Sequence, residues 1–83
     1  MHYDKQAICQ VVSNHLKSYR KNNNITQEKM SENLNISPRT YANIEHCQHC
    51  LSGHTLVMFL IQLSDTEILE MMEDLKDVII NDK

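Results

Sequence analysis

Residues 26–45 read TQEKMSENLNISPRTYANIE, and this stretch decides the fold. Thr26 suits a helix N-cap, because a short side-chain oxygen there can accept a bond from an otherwise orphaned backbone N–H. Gln27 and Glu28 put polar and acidic groups into the first turn, where the helix dipole favours them. Met30 and Leu34, four residues apart, share one face. Asn35 stops the helix, since Asn tolerates the left-handed conformation a helix exit needs. Ile36 plugs the turn. Ser37-Pro38 then opens a second helix: Ser caps it, and Pro at the first helical position loses no hydrogen bond. Tyr41 and Ile44 form its buried pair, while Arg39, Thr40 and Asn43 lie away from that pair and are all polar.

Upstream, a first helix is predicted from about Asp4 to Asn22, with Asp4 as its cap. Ile8, Val12, His15, Leu16 and Tyr19 make one stripe at helical spacing, and Asn22-Asn23-Asn24 ends it. Downstream, residues 46–51 form a loop and Ser52 caps a fourth helix from about Gly53 to Leu63. Leu56, Phe59, Leu60 and Leu63 share its core face, with Val57, Met58 and Ile61 opposite. Ser64 and Glu67 make a capping box for a fifth helix, about Asp65 to Ile80. There Ile68, Met71, Met72, Leu75, Val78 and Ile79 form a stripe, with Leu69 and Ile80 apolar outside it. Glu67, Glu70, Glu73, Asp74 and Asp77 gather opposite as a solvated face. The expected architecture is all-α: five helices in a single compact domain, residues 1–83.

A chain of 83 residues buries only about 60–65% of its unfolded surface, so every helix must contribute a face. A deep, water-excluded catalytic pocket is not expected at this size. One Gly and one Pro argue against a many-turned β-sandwich. No apolar leader follows Met1, and the longest apolar run, Leu56 to Ile61, is too short to span a bilayer. Three cysteines, an odd number, do not make a disulfide framework, and a reducing cytoplasm is the expected setting. The net charge of −3 divides unevenly: +2 over residues 1–45 and −5 over residues 46–83. An anionic partner is therefore expected at the first half.

Two short helices joined by a tight turn, the second opening with polar side chains, follow the helix-turn-helix plan. In that plan the second helix presents its N-terminal residues to base edges. From Leu16 to Glu45, then through Leu51-Ser52 and Thr55-Leu56, the sequence resembles the XRE-type, lambda-repressor-like family, covering about residues 15–63. The resemblance implies a DNA-binding role for Gln27, Ser37, Pro38, Arg39, Thr40 and Asn43. Gln27 matches a residue that contacts the DNA backbone and braces the recognition helix. Arg39 is the main candidate for base readout, since a guanidinium can bond guanine O6 and N7 together. Arg20 and Glu45 match a pair that locks the first helix to the end of the third. The sequence departs from the family at Ser31, where a hydroxyl replaces Ala and needs a carbonyl partner. It departs again at Asn35 and Cys47, where Gly is common, and at Leu51, where Pro is common. Pro38 removes a side-chain donor from a recognition position.

Cys47-x2-Cys50, with His46, His49 and His54 nearby, has half the spacing of a zinc site. The family register instead makes this segment a plain surface loop, with neither metal nor redox role. Cys9 is expected as a small, partly buried hydrophobe. His15 is expected to be a satisfied core histidine. No nucleophile–base pairing and no phosphate-cradling Gly loop occurs, so neither an enzyme nor a cofactor is expected. The expected function is a transcriptional regulator, a repressor, that binds a twofold-symmetric operator as a homodimer through the fourth and fifth helices. The alternative is a protein-interaction module, antitoxin-like or antirepressor-like, with secondary DNA affinity.

Overall fold

The computed structural model describes residues 5–80. Asp4, the expected first cap, lies outside the described residues, as does the side chain of Ile80. Five helices follow in chain order: α1 (Lys5–Asn22), α2 (Gln27–Asn33), α3 (Pro38–Glu45), α4 (Gly53–Leu60) and α5 (Asp65–Ile80). Four begin where short polar side chains dictate. Thr26 accepts from the Lys29 N–H at 3.0 Å, Ser37 from Thr40 at 3.1 Å and Ser52 from Thr55 at 3.3 Å. Ser64 and Glu67 bond reciprocally at 3.2 and 2.8 Å, the two halves of a capping box.

The ends of α1, α2 and α3 share one device. Asn24, Asn35 and Cys47 each take a left-handed φ, at 55°, 59° and 60°. Each then lets two N–H groups fold back on the preceding turn. Asn24 and Ile25 bond to Lys21 and Arg20; Asn35 and Ile36 to Glu32 and Ser31; Cys47 and Gln48 to Ile44 and Asn43. This is the Schellman closure, normally built on Gly and built here without one.

The core gathers Leu16 of α1, Met30 of α2 and Leu34 at its C-cap, Tyr41 and Ile44 of α3, Phe59 of α4 and Met71 of α5. Tyr19 meets Phe59 edge-to-face, ring centroids 6.0 Å apart. Ser31 is buried, and its hydroxyl donates to the Glu28 carbonyl at 2.6 Å, the partner its position requires. α5 lies along α1, and α2 packs on α3. Among the described residues, no helix is long and apolar enough to cross a membrane.

Two expectations are corrected. α4 ends at Leu60, not Leu63: Ile61 is its C-cap and Gln62 and Leu63 turn back onto Phe59 and Leu60. The Gln62 amide also reaches the Met58 carbonyl at 3.0 Å and the Asn33 carbonyl at 3.4 Å, a tertiary stop with no local signal. Met58, expected opposite the core with Val57 and Ile61, packs against it instead. Asp74 is exposed, as expected for the solvated face of α5, and from there meets His15 of α1 at 2.7 Å.

Candidate nucleic-acid interface

The turn between α2 and α3 is set by Leu34 below and Ser37 above. Leu34 is fully buried, while Ser37 caps α3 with its side chain at the surface. Pro38, Arg39 and Thr40 are exposed, and Asn43 is half-buried. The Ser37 hydroxyl donates to the Thr40 hydroxyl at 2.8 Å, which fixes both at the start of the helix. No ion pair among the described residues engages Arg39. The opposite face of α3 is closed, with Tyr41, Ile44 and Glu45 all buried. The helix thus offers its N-terminal end and one polar side to the outside.

Its other end is held by one carboxylate. Arg20 of α1 donates through Nε to Glu45 Oε2 at 2.6 Å and through Nη2 to Oε1 at 3.3 Å. Its Nη1 caps the Ile25 carbonyl at 3.0 Å. Gln27, at the start of α2, donates to Glu45 Oε1 at 3.0 Å, and the Tyr41 hydroxyl donates to Oε2. The Ser13 hydroxyl adds a 2.8 Å bond to the Glu45 backbone carbonyl. Burial by itself would push the Glu45 carboxyl up. Hydrogen bonds from Arg20, Tyr41 and Gln27, with the guanidinium charge, outweigh burial and hold it below the ordinary carboxylate range. The Glu45 hydrogen bond raises Arg20 further still. Burial, then the bond to Glu45, pushes the Tyr41 phenol up. Helices α1, α2 and α3 therefore converge on a single charge.

Arg20 and Glu45 meet as the resemblance implies. Gln27 braces the end of α3 from an exposed position at the interface edge. Two members of the cluster were not foreseen. Tyr41 stands four residues before Glu45 on the same helix, a spacing that brings side chains together and was readable in principle. Ser13 carried no signal, since a hydroxyl beside an apolar stripe is usually solvated.

The α3–α4 loop departs most from expectation. Cys9 is buried on α1 and is disulfide-bonded to Cys50 in the loop, with Cα atoms 5.5 Å apart. The odd cysteine count hid a pair 41 residues apart in sequence. Cys9 is thus a bonding partner as well as a buried apolar residue. Cys47 remains a free thiol and donates to Gln10 Oε1 at 3.3 Å. Among the described residues, no three His, Cys, Asp or Glu side chains converge as a metal site would need.

No curated protein and no solved structure matches the chain. The family described as "Helix-turn-helix domain" matches residues 14–68, from the middle of α1 into the first turn of α5. That span holds α2, α3 and α4 whole, with Arg20, Gln27, Tyr41 and Glu45 of the clamp, and the chain belongs to this XRE-like helix-turn-helix family.

Proposed function

We propose that this protein is a sequence-specific transcriptional regulator, a repressor in the cytoplasm, that reads duplex DNA with the N-terminal end of α3. The observation that carries this reading is the exposed Ser37–Thr40 end of a helix whose other end is clamped to α1 and α2 through Glu45. A reading helix must hold its side chains in register, and this one is fixed at both ends. Arg39 supplies base readout, Asn43 a base or phosphate contact, and Gln27, Ser37, Pro38 and Thr40 meet the backbone and base edges. Arg20 is occupied by Glu45, so few cations remain for phosphates. Backbone N–H groups at helix N-termini share that work, and salt dependence should be shallow, with about 4–6 counterions released per dimer.

The operator is twofold and the regulator a homodimer. Val57 and Ile61, one helical turn apart, are 57% and 71% exposed; Leu69 and Met72 on α5 are also exposed. These apolar groups support a self-association surface on α4 and α5 that sets two reading helices about one DNA turn apart. Selection from a random duplex pool, followed by binding titrations, tests the reading. Arg39→Ala should cost about 1–3 kcal/mol and relax preference at one base position, leaving the melting temperature unchanged. Failure to enrich any duplex at low salt would refute it and favour a protein partner for the same apolar surface.

A further inference from the structure

We propose that Cys9 and Cys50 form a redox-controlled tether that sets the order of the α3–α4 loop and, through it, the affinity for DNA; this rests on the DNA-binding reading above. The placement is specific. Cys50 lines two clefts. One is apolar, shared with Ile8, Cys9 and Val12 of α1 and with Leu51 and Leu56. The other faces the reading helix, shared with Thr40, Ser52 and Thr55. The bond therefore links the buried side of α1 to the wall of the reading face.

The loop has little else to hold it. The Schellman closure ends at Gln48, and α4 begins bonding at Ser52. Among the described residues, no backbone hydrogen bond involves residues 49–51. Leu51 packs on the core, and the Cys50 sulfur is bonded to α1. The ring closed by the bond encloses all of α2 and α3. Opening it frees the loop locally and loosens the constraint on the whole reading unit.

The 5.5 Å Cα separation lies within the range that a disulfide spans without backbone movement, so both redox states fit one fold. Cys9 is buried and Cys50 is exposed, so an attacking thiol meets Cys50 first. A cellular thiolate attacks Cys50 Sγ and forms a mixed disulfide there, and Cys9 leaves as a thiolate that takes a proton. A second thiol attacks the external sulfur of the mixed disulfide. It releases the Cys50 thiol and yields the oxidised reductant, two electrons in all. Oxidation by a small-molecule disulfide runs the same steps backwards.

The oxidised form binds DNA more tightly, because its loop is ordered before the encounter. Reordering one freed residue on the DNA costs about tenfold in affinity. The test uses purified full-length protein equilibrated in oxidising and in reducing thiol–disulfide buffers. A duplex pool is selected against each form, and recovered duplexes are titrated by fluorescence anisotropy. Peptide mapping should find the Cys9–Cys50 bond in the oxidised form, with a higher melting temperature than the reduced form. Reduction should weaken DNA binding about tenfold in the native protein and in Cys47→Ser. Cys9→Ser and Cys50→Ser should be insensitive to buffer, fixed at the weaker affinity. Three free thiols in the oxidising buffer, a bond that includes Cys47, or an affinity unchanged by reduction would overturn the proposal. Recovery of no duplex in either buffer would instead overturn the DNA-binding reading and the effect on affinity. The tether itself is then judged on the peptide map and the two melting temperatures.

Discussion

Replacing Arg20 with Ala removes the largest stabiliser of a carboxylate that has almost no access to water. The Glu45 side chain is 4% exposed and that of Arg20 15%. The substitution deletes the 2.6 and 3.3 Å bonds to the carboxylate and the 3.0 Å cap on the Ile25 carbonyl. Breaking a buried pair from one side costs about 3–5 kcal/mol, chiefly because the remaining charge stays buried. Tyr41 and Gln27 still donate to Glu45, which places the cost near the lower end, about 3 kcal/mol. A domain of 83 residues has a stability of only about 4–12 kcal/mol, so this loss is a large fraction of the whole. The melting temperature should fall by about 12–24 °C at 4–8 °C per kcal/mol. Thermal and urea denaturation at neutral pH, in one fixed redox buffer, measure it. The double variant Arg20→Ala with Glu45→Gln should recover part of the loss, since it removes the orphaned charge. A single variant within 1 kcal/mol of the native protein, or one that melts normally yet no longer binds DNA, would refute the assignment of Arg20 to architecture.

Three further outcomes follow from the same geometry. Cys47→Gly should raise stability by about 1 kcal/mol, measured by urea denaturation, because Cys47 is held at φ 60° where a Cβ is crowded and Gly is not. In acid, Glu45 should drive unfolding. Its folded-state pKa is depressed, so its contribution is full above the unfolded value of about 4.3 and is lost as pH falls through the lower folded value. Glu45→Gln should flatten that limb in pH-dependent melting. Ile61→Glu should leave folding intact, since Ile61 is 71% exposed. In sedimentation it should convert a dimer to a monomer; a native protein already monomeric at tens of micromolar would sink the dimer reading.

What was legible in the sequence was local. Thr26, Ser37, Ser52 and Ser64 announced their helices because a cap is an interaction three residues long. Met30, Leu34, Tyr41 and Ile44 announced the core because helical period sorts faces. The family register added the Arg20–Glu45 pair, which spacing alone does not give. The end of α4 was not legible: Ile61, Gln62 and Leu63 continue an apolar pattern, and the stop is a fold-back reinforced by Gln62 reaching across to Asn33. Nor was the Cys9–Cys50 pair, whose two halves come together only when α1 and the α3–α4 loop dock. In the candidate site, the exposed residues of α3 were read from the sequence, but the extent of the support beneath them was not. The family register implied the bracing by Gln27, but Ser13 joins Glu45 only in three dimensions.

The packing of α5 along α1 bears on how the protein is made. Met71 is 1% exposed and sits in the same cluster as Leu16, while Leu75 packs beside them. α1 thus waits for α5, which is synthesised later, before its buried side is covered. A nascent chain that has completed α4 already carries α2 and α3, yet still displays Leu16 and Phe59 incompletely enclosed. During translation this stretch should be open to chaperones and proteases, as incompletely buried apolar surface is. Messages interrupted before α5 should accordingly leave little protein.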